Sequence, residues 1–95
     1  MVNDIKLSIG LTIYKGEWEG SQWTITGYPK KDMVIRDFES AYDFEDFVKE
    51  HINCNGIEFD SEFCQFFAYT KTKASAVAFG NRIEKYFDKV RKSLT

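Results

Sequence analysis

The stretch that most constrains the fold is Ile57–Tyr69, IEFDSEFCQFFAY, which holds four of the nine phenylalanines. From Phe63 to Tyr69 only Gln65 is clearly polar. A run apolar on both faces and too short for a helix reads as a strand buried on both sides, with a bulge or tight turn at Asp60–Glu62 where three polar residues intervene. Such a strand needs neighbours on its edges and a layer against at least one face.

The segments around it supply those parts. From Ile5 to Ile13 the odd positions are Ile, Leu, Ile, Leu, Ile and the even ones Lys6, Ser8, Gly10 and Thr12. That alternation predicts a half-buried strand. After the glycine-containing loop KGEWEGSQ, the alternating Trp23–Tyr28 predicts a hairpin partner. Pro29-Lys30-Lys31-Asp32 then marks a turn, and Met33–Phe38 is expected to complete a three-strand antiparallel meander.

Ser40 with Asp43 three residues on is a capping-box signature. Phe44, Phe47, Val48 and Ile52 form the apolar stripe of the helix it opens, and Asn55-Gly56 is expected to supply a left-handed exit. A last helix, about Lys73 to Leu94 and capped by Thr72, places Ala76, Phe79, Ile83, Tyr86, Phe87, Val90 and Leu94 on one face. Gly80 interrupts good helix formers, which points to close packing against the sheet. The expected architecture is α+β: a βββαβα two-layer sandwich, an antiparallel meander plus one buried central strand, with two helices on one sheet face. Ninety-five residues, 43% of them hydrophobic, read as one domain spanning 1–95 with its own core.

No secretory leader or apolar span is visible, and two cysteines, Cys54 and Cys64, are too few for a disulfide framework. The expectation is a soluble, cytoplasmic protein with reduced thiols, Cys64 serving as a small core residue. His51-x-x-Cys54 with a distant Cys64 and Asp60 is a poor match to zinc-ligand spacing, so no metal site is expected. His51 and Cys54 also lack an orienting third group for nucleophilic catalysis, and the six glycines match no phosphate-binding loop. No catalytic residue, no metal and no small-molecule cofactor is expected.

Charge distribution carries the functional reading. The formal net charge is only −2, yet residues 1–36 sum to +1, residues 37–62 to −8 and residues 63–95 to +5. An acidic block steers association with a basic partner. The expected partner-binding set is Asp43, Glu45, Asp46, Glu50, Glu58 and Glu62, with Trp18, flanked by Glu17 and Glu19, as an anchor. The function this suggests is a non-enzymatic interaction module that inhibits or regulates a basic, nucleic-acid-handling protein by occlusion. Small acidic phage or mobile-element domains that block host nucleases and defence complexes are the concrete picture.

Two alternatives accompany it. One is an RNA- or single-stranded-DNA-binding domain stacking bases on Tyr14, Trp23 or Tyr28, and Tyr69, beside Lys6 and Lys15. The RNP-type motif is absent and the sequence pI of about 5.4 opposes it. The other is a structural homodimer formed through a strand edge or the sheet face.

Overall fold

The computed structural model describes residues 4–16 and 22–94. Trp18 lies outside the described residues. Inside them the chain runs β1 (Ile5–Lys6), β2 (Leu11–Lys15), β3 (Trp23–Gly27), α1 (Lys31–Val34), α2 (Ala41–His51), β4 (Glu58–Phe59), β5 (Phe66–Thr70) and α3 (Lys73–Ser93). The five strands form one antiparallel sheet in the order β1-β2-β3-β5-β4. Helices α2 and α3 pack on one face of it, giving a two-layer α+β sandwich.

The first alternating segment is a hairpin, not one strand. Leu7 N–H donates to the Leu11 carbonyl at 2.7 Å and Gly10 N–H to the Leu7 carbonyl at 3.1 Å, so β1 folds back on β2. The alternation survives the turn, because Ile5 pairs with Ile13 and Ile9, Leu11 and Ile13 are all buried. Gly10 (φ +105°) and Gly27 (φ +141°) sit where two stretches of backbone touch. A Cβ on Gly27 would stand 2.4 Å from the Gly10 carbonyl oxygen, and one on Gly10 would stand 2.5 Å from that of Tyr28. No side chain fits at either place.

Met33–Phe38 is not a strand. Lys30 N–H donates to the Ile9 carbonyl, and the chain then enters the single helical turn of α1. Val34 is the buried residue of that turn, and Phe38, buried too, lies beyond the left-handed Ile35, so no single period runs through the segment. The turn ends on Ile35 at φ 58°, ψ 31°, with its N–H returned to the Lys31 carbonyl. A β-branched residue in this left-handed region is strained, and Ile35 is 42% exposed, so little packing offsets the cost.

The run Ile57–Tyr69 also differs from expectation. It too is a hairpin, with β4 and β5 joined through a turn at Phe63 and Cys64 and the Glu62–Gln65 bridge. Strand β5 lies between β3 and β4, but it is covered on one face only. Phe66, Ala68 and Thr70 enter the core, while Phe67 and Tyr69 point to the uncovered face. Cys64 is therefore exposed, Phe63 is 63% exposed, and both cysteines are free thiols.

Both long helices follow the sequence pattern. Ser40 Oγ accepts the Asp43 N–H at 3.3 Å, and the Asp43 carboxylate in turn accepts the Glu39 N–H at 3.1 Å. Thr72 Oγ1 caps α3 by accepting the Ser75 N–H at 3.1 Å. The exit from α2 is different: Ile52 closes it with extended backbone, and Gly56 takes its positive φ in the later turn before β4. Phe44 fills the space between the layers, with edge contacts to Phe38 (5.1 Å) and Phe66 (5.0 Å) and a stacked contact to Phe87 (6.2 Å). Gly80 brings α3 close to the first hairpin, since a Cβ there would meet Ile13 Cδ1 and Leu7 Cδ1 at 3.0 Å each. The Ser8 N–H donates to the Glu84 carboxylate at 2.9 Å, tying the β1–β2 turn to the same helix.

The strain at Ile35 yields a stability test. Ile35→Asn should raise unfolding free energy by about 1 kcal/mol in urea, because asparagine tolerates the left-handed region. A fall in stability would show that the isoleucine side chain contributes more by packing than its backbone costs.

Candidate partner-binding surface

The acids 43–62 do not form one surface. Asp43 is engaged at the start of α2, where its carboxylate also meets Arg36 at 3.5 Å. The Arg36 guanidinium lies 4.3 Å above the Phe38 ring, so this carboxylate holds a cation over the aromatic core. Glu45 is turned inward, with its side chain only 14% exposed; it pairs with Lys49 at 3.0 Å and accepts the Ser61 N–H at 3.4 Å. These two acids secure α2 to its neighbours. Asp46 and Glu50, four apart on α2, are exposed and make no ion pair with a described residue.

Glu58 and Glu62 belong to a different face. Strand register sets Lys6 beside Thr12, Thr12 beside Thr26, and Thr26 beside Phe67; the next row is Tyr14, Thr24, Tyr69 and Glu58. These residues alternate with the core set, so they occupy the sheet face away from α2 and α3. Asp60 extends the β4 side of this face, its N–H donating to the Phe67 carbonyl at 3.0 Å. Glu62 and Gln65 exchange backbone hydrogen bonds of 2.9 and 3.3 Å. Gln65 Nε2 then donates to Thr26 Oγ1 at 2.8 Å, which fixes this pair on the open face as well.

Two rings dominate that face. Phe67 and Tyr69 lie nearly parallel, 6.3 Å between centroids and 9° between planes. Thr24, between Tyr14 and Tyr69 in the ladder, is only 5% exposed although neither long helix covers it. The Tyr69 phenol is held above its ordinary value, first by desolvation and then by the charge of Asp60, with Tyr14 and Glu62 adding in the same direction.

The expected base-stacking platform is corrected in part. Tyr14, Tyr69 and Lys6 do share the open face. Trp23 is on the helix face, with Lys73 Nζ 5.9 Å from its ring, and Lys15 pairs with it in the ladder. Tyr28 has left the sheet and donates its hydroxyl to the Phe38 carbonyl at 3.0 Å.

The two arginines of α3 are engaged elsewhere. Arg91 donates to the Met33 carbonyl and pairs with Asp88 at 3.1 Å; Arg82 donates to the Asn53 carbonyl at 3.1 Å. Arg82, Lys85 and Lys89 line a shallow groove with His51 and Tyr86 at the C-terminal end of α2, where a helix favours positive charge. None of these three makes an ion pair with Asp46, Glu50, Glu58 or Glu62. His51 rests on the rings of Phe47 (4.3 Å) and Tyr86 (5.5 Å). Burial raises the Cys54 thiol, partly countered by Arg82 and Lys49. Among the described residues, no group of three His, Cys, Asp or Glu side chains is placed to hold a metal ion. No described helix is long and apolar enough to cross a membrane.

Family models, curated proteins and solved structures were each compared with the chain, and none matches it.

The Tyr69 environment predicts a titration order. In an Asp60→Asn/Glu62→Gln variant the phenol should ionise at lower pH than in the parent, while desolvation keeps it above an ordinary tyrosine. Ultraviolet absorbance, with Tyr69→Phe as the subtraction, reads this directly. The linked stability is fully present below the unfolded phenol value, near 10, and is lost as pH rises through the higher folded value.

Proposed function

We propose that the protein is a non-enzymatic interaction module that inhibits or regulates a basic, nucleic-acid-handling protein by covering its charged surface. The observation that supports this reading is the state of the acidic block. Asp46, Glu50, Glu58 and Glu62 are exposed and unpaired among the described residues. Surface charges left without a neighbour raise association rates with an oppositely charged protein and select against like-charged ones. Asp43 and Glu45 are removed from the contact set, because each is spent within the fold.

Affinity capture from cell lysate at low and moderate salt should return one stoichiometric basic protein. Asp46→Lys/Glu50→Lys should weaken the purified complex by roughly tenfold or more, chiefly through slower association, as expected for charge-steered binding. The midpoint of thermal unfolding should stay within a few degrees of the parent, since neither carboxylate has a described intramolecular partner. Unchanged affinity at low salt would remove α2 from the interface.

A further inference from the structure

We infer that the uncovered sheet face is an arginine-reading surface, on which Phe67 and Tyr69 stack guanidinium groups of a basic partner segment while Glu58, Asp60 and Glu62 pair with them. The inference rests on the proposed binding of a basic protein and names the part of that partner which is recognised.

Three observations on this face converge. It offers two near-parallel rings, 6.3 Å apart, that no long helix covers. It sets three carboxylates along the β4 side of those rings, by register for Glu58 and Asp60 and by the Gln65 bridge for Glu62. None of the three has an ion-pair partner among the described residues. Lys6, the cation in the described open-face ladder, stands on β1 at the other edge of the sheet, and Lys71, just past β5, lines a shallow pocket with Glu58 and Tyr69 without an ion pair to Glu58.

The chemistry of this combination selects its ligand. A ring face attracts a cation, and a planar guanidinium stacks on it while its N–H groups remain free in its own plane to reach carboxylates. Ammonium groups satisfy the charge but neither stack nor chelate in the same way. Nucleic acid would also use the rings, yet its phosphates would face three carboxylates on the adjacent strand. Charge complementarity therefore favours an arginine-rich protein segment.

The test is a set of fluorescence-anisotropy titrations with labelled octa-arginine and octa-lysine peptides, and with a labelled single-stranded oligonucleotide. The parent should bind octa-arginine at least about fivefold more tightly than octa-lysine, as ring stacking at exposed sites would give. Phe67→Thr/Tyr69→Thr, which retains strand-favouring residues, should abolish that preference, and circular dichroism checks its fold. Glu58→Gln/Asp60→Asn/Glu62→Gln keeps both rings and should weaken both peptides. Asp46→Lys/Glu50→Lys should weaken both peptides alike through the lost charge and leave the ratio of their affinities unchanged.

Equal affinity for the two peptides, lost with the α2 substitutions but indifferent to those on the sheet, would overturn this inference and leave the acidic-surface function standing. Failure of both peptides to bind in low salt would overturn both. Binding of the oligonucleotide to the same face, lost with Phe67→Thr/Tyr69→Thr, would overturn both in favour of nucleic-acid recognition.

Discussion

Phe44 is the contact on which the arrangement of layers depends. Its ring meets Phe38 from the segment before α2, Phe66 from β5 and Phe87 from α3. Edge and stacked contacts of this kind add to the area each ring buries, and they restrict the angles at which the elements approach. Once Phe44 is seated, α2 has one orientation, and its capping residues and Glu45 can find their partners at Glu39 and Ser61. Because the large core side chains are gathered on that side, the other face of the sheet keeps its own rings and threonines, with charged residues toward its edges.

Much of this was legible in the residues, and the failures have physical reasons. Alternation from Ile5 to Ile13 named the inward side chains correctly even though the segment turns, since a tight hairpin can preserve which residues face the core. Periodicity located α2 and α3, and Ser40 and Thr72 cap them as their types suggest. Met33–Phe38 misled because a short apolar run does not reveal that one helical turn ends inside it, with the backbone reversing at the left-handed Ile35. In Ile57–Tyr69 the weight of phenylalanine obscured a finer signal: Glu58, Asp60 and Glu62 alternate with Ile57 and Phe59, the pattern of an edge strand with one wet face. Reading that alternation would have turned Cys64 and Phe63 into a turn and placed the carboxylates opposite Phe67 and Tyr69.

The candidate surface was visible as composition but not as geometry. Nine acids in a row of 26 residues announce negative potential, whichever way the chain folds. Their division into anchoring and unpaired groups depends on long-range neighbours. Glu45 turns inward toward Ser61, sixteen residues away, while Asp46, adjacent in sequence, faces solvent. A rotation of 100° per residue along a helix separates the two fates. The small net charge of −2 conceals this, because many of the cations that balance the sum lie on α3, and none of them forms an ion pair with Asp46, Glu50, Glu58 or Glu62 among the described residues.

The crossing of Gly10 and Gly27 carries a consequence for how such a sequence can vary. Each glycine is required twice, by its own positive φ and by the backbone that crosses it, Tyr28 and Lys30 over Gly10, and Gly10 and Leu11 over Gly27. Replacing either one meets a backbone oxygen and a positive φ at the same time, so each substitution carries its own strain even where the other has already occurred. Divergence in this hairpin has to pass around the crossing, through residues such as Lys6 and Thr12 whose side chains point away from it.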